Sequence, residues 1–146
     1  MEAIVTQYLK KSDDKQKGLV NIWADVPYQD LFWLGNIREL ENLLTEIGLT
    51  PNTIFGYQRG IENINKIPHA EFNLLVSPWV GLKNMKTMEK TLGIPYLHYP
   101  VLPVGATETG KFLREVGKFA NIDEEKVEAV IKKHEDYFYY LISRYA

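Results

Sequence analysis

Two short runs of nearly uninterrupted apolar residues, LVNIWA at Leu19–Ala24 and FNLLVS at Phe72–Ser77, restrict the fold more than any other feature of the chain. A strand with one wet face alternates apolar and polar residues, whereas a strand covered on both faces need not. Both runs therefore predict strands inside a parallel sheet. Two further runs, Asn52–Tyr57 (NTIFGY) and Pro95–Pro100 (PYLHYP), also read as strands. Helical patterns lie between them, and strands alternating with helices give an α/β fold of three layers around a four-stranded parallel sheet. Right-handed crossovers put the second and third strands on opposite sides of the first, so the expected order is 2-1-3-4. The 146 residues, 45% of them hydrophobic, suffice for one domain with a sizeable core.

The helices are read from their stripes. Ile37, Leu40, Leu43, Leu44 and Ile47 predict a helix over 37–47, with Asn36 as N-cap, Glu39 as its reciprocal partner and Gly48 as its left-handed stop. A short helix is expected over 60–66, with Ile61 and Ile64 inward and Pro68 ending it. Leu82, Met85, Met88 and Leu92 mark a helix over 80–92 that exits through Gly93. Phe112, Leu113, Val116 and Phe119 mark another over 108–120. The last helix, 123–145, is the longest, with Asp123 as its cap. Its face of Val127, Val130, Ile131, His134, Phe138, Leu141, Ile142 and Tyr145 persists to the final residues. Such a pattern predicts a piece of something longer. Residues 1–17 read as a short N-terminal helix and a polar linker, KKSDDKQK, and 18–146 as a single domain.

Composition removes several chemistries. With Lys+Arg 17 against Asp+Glu 19, no basic surface for nucleic acid is expected. No apolar run is long enough for a membrane span, and no secretory signal is visible, so a cytoplasmic location is expected. The absence of cysteine excludes thiolate catalysis and thiolate-held iron–sulfur or zinc by this chain. No GxGxxG follows the first strand and no GxxxxGK[ST] occurs, which argues against nucleotide binding. The loop 25–35 instead carries Tyr28, Phe32 and Trp33, placed where ligands or neighbouring subunits meet such sheets. Packing against a neighbour is the favoured role, because a small-molecule site calls for more convergent polar groups. Asp25 and Asp30 in that loop read as solvated acids rather than a magnesium pair. His69, His98 and His134 lack metal-ligand spacing and read as satisfied core or interface histidines. In LPVGATETGKF, Gly105 permits close backbone approach and Thr107 or Thr109 could cap a helix, which makes an anion site or plain capping. No catalytic residue and no metal ligand is assigned.

Several stretches together carry a resemblance: VNIWADVPYQDLFWLGNIRELENLLTEIGL, FNLLVSPWVGLKNMKTMEKTLGIPYLHYPVLPVGATETGKFLREVG and VEAVIKKHEDYFYYL. In order and over nearly the whole chain, they resemble the middle domain of nitrogenase component 1 subunits, most like β-type chains of vanadium and iron-only enzymes. The resemblance implies a Rossmann-like domain, one of three in a subunit. It also implies a paired α-type subunit, an ATP-dependent iron protein as electron donor, and iron–sulfur clusters plus a metal cofactor in the parent complex. Cofactor-assembly scaffolds and dark-operative protochlorophyllide reductase share that architecture. Where α-type members carry a cofactor-ligating cysteine after the strand that FNLLV resembles, this chain has Ser77, followed by Pro78 and Trp79. That matches a β-type chain. Ser77, Trp79, Gly105 and Thr107 are thus the candidate cofactor-contacting positions, and no cofactor is expected on this chain itself.

The resemblance implies a structural middle domain of a β-type subunit, inactive alone, in an iron–sulfur oxidoreductase complex that reduces dinitrogen; it would contact the other domains of its subunit, the α-type subunit and the iron protein. A cofactor-assembly scaffold is the first alternative. A free-standing flavodoxin-like module for a small anionic ligand is the second, and it lacks the phosphate-cradling loop it would need. The isolated chain is expected to self-associate. The last helix, the 28–33 loop and Ile4, Val5, Tyr8 and Leu9 of the N-terminal helix supply its exposed apolar surface.

Overall fold

The computed structural model describes residues 3–24 and 29–145, in two compact units, Met1–Val101 and Leu102–Ala146. In the first unit a short π-helical turn, Ile4–Tyr8, precedes β1 (Leu19–Trp23), α1 (Trp33–Glu46) and β2 (Thr50–Asn52). Then follow α2 (Ile61–Lys66), a 3-10 turn (Ile67–His69), β3 (Phe72–Val76), α3 (Leu82–Leu92) and β4 (Tyr96–Tyr99). All strand pairs are parallel and the order is β2-β1-β3-β4, as expected from the sequence. The β1–α1–β2 connection moves one way across the sheet, and the next two connections move the other way. Equal handedness then puts α1 on the face opposite α2 and α3. Both central strands are buried at every position, which is why their sequences do not alternate.

The face carrying α2 and α3 encloses Trp23, Ile67, Leu75, Met85, Met88, Leu92 and Ile94. Val5 and Leu9 at the N-terminal turn belong to the same core, 1% and 8% exposed. They therefore add nothing to the exposed apolar surface, against the expectation from sequence. Of the apolar side chains there, Ile4 is partly buried against the core and Tyr8 is the open one, at 53%. Gly93 leaves α3 at φ +67°, a conformation that costs glycine little, and its N–H donates to Glu89 O at 3.1 Å.

Several local expectations are corrected. The second strand is Thr50–Asn52, not 52–57. It is an edge strand that accommodates Pro51, and after Asn52 the chain turns so that Ile54 and Phe55 pack onto the core from a loop. Helix α1 starts at Trp33, a turn earlier than the stripe implied. Asp30 Oδ1 accepts from the Phe32 N–H at 2.6 Å and the Asn36 N–H already donates to Phe32 O at 2.9 Å, so Asn36 lies inside the helix and is not its N-cap. Glu39 accepts from Asn42 instead of closing a box. Ile61, at the first position of α2, is exposed rather than inward, and so is Phe119 at the end of α4.

A feature absent from the stripes crosses the sheet interior. Asn52, Asn21 and Asn73 lie side by side on β2, β1 and β3, all at most 2% exposed. Asn63 Nδ2 donates to Asn52 Oδ1 (3.0 Å), Asn52 Nδ2 to Asn21 Oδ1 (2.8 Å) and Asn21 Nδ2 to Asn73 Oδ1 (3.0 Å). The Trp23 indole N–H also donates to Asn73 Oδ1 at 3.0 Å. Asn21 and Asn52 further satisfy the carbonyls of Ile67 and Asn63. Buried amides are tolerated only when paired, and this ladder pairs nearly all of its polar atoms.

The second unit is a helical hairpin of α4 (Gly105–Phe119) and α5 (Glu124–Tyr145). The turn closes with Asn121 at φ +53° and the Ile122 N–H on Gly117 O at 2.8 Å. A Cβ on Gly117 would stand 2.7 Å from Val127 Cγ2, and one on Gly110 3.3 Å from Ile131 Cγ2, so the two glycines let the helices close up. Arg114 clamps Glu128 with two hydrogen bonds, 2.6 and 2.8 Å. Asp123 caps α5 through the Glu125 N–H, as expected. Helix α5 has 22 residues and α4 only 15. The shared face is covered at Val127 and Ile131, and open from Phe138 (37%) through Ile142 (47%) to Tyr145 (89%).

Candidate functional site

The carboxyl ends of β1, β2 and β3 are where an open parallel sheet offers a site. The connection after β3 begins with Ser77, which is buried. Its N–H donates to Tyr99 O at 3.1 Å, and its carbonyl accepts the Nε2–H of His98 at 2.7 Å. His98 is thereby fixed as a partner of the β3 end, in line with the reading of a satisfied histidine. Pro78 follows, and then Trp79 (75% exposed) and Val80 (46%) project before Gly81. Gly81 takes φ +91°, and a Cβ built there would lie 3.2 Å from Leu75 Cδ1. A larger residue at that position would be strained and would press on the core.

The connection after β1 contributes Asp30, Leu31 and Phe32. Asp25 and Tyr28 lie outside the described residues. Asp30 is used locally, as the acceptor that turns the chain into α1. Leu31 is 95% exposed and Phe32 is exposed as well. After β2, Tyr57 and Ile61 are open to solvent. The large exposed apolar side chains of the first unit, Tyr8 apart, thus sit on the segments that follow the carboxyl ends of its strands.

Gly105 and Thr107 belong to the first turn of α4 in the hairpin unit, and Thr109 lies further inside that helix. The position before α4 is Val104 and no side chain caps it, so Thr107 and Thr109 cap nothing. Of the four candidate contact positions, the fold joins Ser77 and Trp79 on one connection. His69 bridges Ser12 Oγ and Asp14 O at the opposite end of the sheet, and His134 is half-buried on α5.

Lys15, whose amine is pushed below the usual lysine range by burial, sits at the amino edge. Glu128 is held below the usual carboxylate range by its hydrogen bond from Arg114, in the hairpin. Among the described residues no group of three His, Cys, Asp or Glu could hold a metal ion. On the connection after β3 the polar groups are a serine whose backbone groups are both engaged and an indole, with a β4 histidine already donating to a carbonyl. They do not fit an iron–sulfur cluster, which requires thiolates or comparable ligands. What the rim offers is apolar contact area held on a rigid frame. The sequence signalled its aromatics, Phe32 and Trp79, but not Leu31, Tyr57 or Val80. The asparagine ladder also has a sequence signal, one polar residue inside each apolar run, which the apolar patterning alone passes over.

No described helix is long and apolar enough to cross a membrane. Residues 1–145 match the family described as nitrogenase component 1 type oxidoreductase. The B subunit of light-independent protochlorophyllide reductase from Angiopteris evecta is 31% identical over 137 residues, 87% of this chain and 26% of that protein. The protein of the same name from Pleurastrum terricola is 31% identical over 146 residues, 94% of this chain and 28% of that protein. A solved structure titled nitrogenase Cp1 at pH 6.5 superposes with a TM-score of 0.70 at 21% identity, over 90% of this chain and 25% of that one. The chain thus spans about a quarter of the length of the curated relatives it matches. Those relatives are protochlorophyllide reductase chains rather than vanadium or iron-only nitrogenase β chains.

Proposed function

The chain belongs to the nitrogenase component 1 type oxidoreductase family, and on that premise we propose that it serves as a middle, Rossmann-like scaffold domain of a B-type subunit. The observation that carries this reading is the carboxyl rim: exposed Leu31, Phe32 and Trp79, beside a β3 end where Ser77 and His98 are hydrogen-bonded to one another. Such a surface supplies packing area to neighbouring domains or subunits. The 31% identity to protochlorophyllide reductase B chains supports a parent that reduces a large unsaturated substrate in preference to dinitrogen. In this reading the parent complex holds the iron–sulfur clusters, an α-type partner and an iron protein deliver the electrons, and the whole works in the cytoplasm. Ser77 and Trp79 face that chemistry as framing residues.

A chimera tests it. Residues 1–145 replace the matched quarter of the B chain of a light-independent protochlorophyllide reductase. The chimera is expected to assemble with its partner chain and bind its usual iron. The present chain alone, purified anaerobically, is expected to carry no stoichiometric iron. Stoichiometric iron on the isolated chain, or a folded chimera that cannot assemble, would overturn the scaffold reading.

A further inference from the structure

Beside the edge strand lies a cleft of about 700 Å³, between one face of α1 and the loop that follows β2. That volume falls within the range of small-molecule sites. Its α1 wall runs Leu34, Gly35, Arg38 and Glu41, positions that share one helix face. Its loop wall is Gly56, Tyr57, Gln58 and Arg59.

The loop is held rather than loose. Arg59 Nη2 reaches Glu41 Oε1 at 2.7 Å and so pins the loop to α1. The Arg59 stem folds over Gly56 so closely that a Cβ there would lie 2.9 Å from Arg59 Cγ. Gln58 occupies φ +57°, a conformation that costs a residue with a side chain and is kept only where its surroundings enforce it. This arrangement fixes the wall while leaving the Tyr57 ring 71% exposed. On the facing wall, no atom lies within 4 Å of where a Gly35 Cβ would stand, so the helix backbone can be approached.

The charges then select the guest. Glu41 neutralises Arg59, and Arg38 has no ion pair among the described residues. Among the described residues the Arg38 guanidinium is thus uncompensated, and it has the geometry to take a carboxylate through two hydrogen bonds. A phosphate carrying two charges would leave one of them unmatched. The rest of the lining brings a phenol ring and the side chains of Leu34 and Ile37, which suit a flat apolar body, with the amides of Asn42 and Gln58 beside them. We propose that this cleft binds a compact organic monocarboxylate with a flat apolar body, its carboxylate on Arg38 and its body against Tyr57. The proposal does not rest on the family's reaction and concerns a different part of the sheet from the Ser77–Trp79 connection.

The probe is 2-naphthoate, with 2-naphthalenemethanol and inorganic phosphate as controls, titrated into the full chain and followed by calorimetry and backbone amide NMR. Naphthoate is expected to bind and to shift the Gly35, Gly56 and Gln58 amides, and both controls are expected to bind at least ~10-fold more weakly. Arg38→Gln should weaken naphthoate by about 10-fold or more. Gly35→Leu fills the cleft with a good helix former in open space, so it should abolish binding while the fold, checked by the same spectra, is kept. No naphthoate binding, equal binding of the neutral alcohol, tighter binding of phosphate, or binding unchanged in both variants would each overturn the assignment.

Discussion

The two ends of the sheet in the first unit are built to opposite specifications. At the amino end, polar groups close on one another. Gly18 N–H donates to the Glu71 carboxylate at 2.7 Å, Gln16 N–H to His69 O at 2.8 Å and Lys15 Nζ to Pro68 O at 2.7 Å. At the carboxyl end, Leu31, Phe32, Tyr57 and Trp79 leave their side chains in water. One end spends its contacts on holding the chain's own strands together. The other is left with apolar area, whose burial by a partner is favourable by about 25 cal/mol per Å². A domain that stood alone would gain nothing from the second arrangement, whereas a scaffold domain would.

The largest expected effect comes from cutting the polar interior between those ends. Asn21→Leu strips acceptors or donors from Asn52, Asn73 and the Ile67 carbonyl at once. It should cost about 2–3 kcal/mol in urea unfolding. A change under about 0.5 kcal/mol would show that the ladder does not hold the sheet. Next, Glu71→Ala removes a charge-assisted bond at the amino edge and should cost about 1 kcal/mol, with no effect on association.

At the rim the pattern should invert. The double variant Leu31→Ser, Trp79→Ser should alter unfolding by no more than about 0.5 kcal/mol, yet lower the self-association seen by sedimentation. A loss of stability near about 2 kcal/mol would mean that the rim is core and erase the contrast. The smallest effect concerns Lys15. Burial lowers its amine below the ordinary lysine value in the folded chain, so the unfolded chain binds more protons between the two values. Stability should therefore rise slightly with pH across that alkaline window, and Lys15→Met should flatten the rise.

The sheet was legible because β1 and β3 are central strands, whose burial on both faces writes itself into sequence as LVNIW and FNLLV. The edge strand was not: NTIFGY has the composition of a strand, but β2 pairs with β1 alone among the described strands, and its pairing stops at Asn52. Helix stripes located Met85, Met88 and Leu92 correctly. They misplaced Ile61 and Phe119, which stand at helix ends where periodicity says little about cover. At the rim, aromatic content marked Phe32 and the family resemblance marked Trp79, but their exposure depends on tertiary neighbours. The cleft beside α1 could not be seen at all, since Arg38 and Tyr57 are 19 residues apart and meet only through the crossover.

The three aligned asparagines also bear on errors. Strand side chains repeat every two residues, so a strand that slips by two keeps its apolar face inward. In β1 and β3, such a slip would mostly exchange one apolar side chain for another, and packing alone would punish it weakly. The amides cannot be exchanged that way. Moving β3 by two positions would set Asn73 against Leu19 or Trp23 in place of Asn21, stranding several donors and acceptors in the interior at about 1–3 kcal/mol each. The ladder thus proofreads the alignment of three strands, and it rejects a near-correct sheet that greasy residues by themselves would accept.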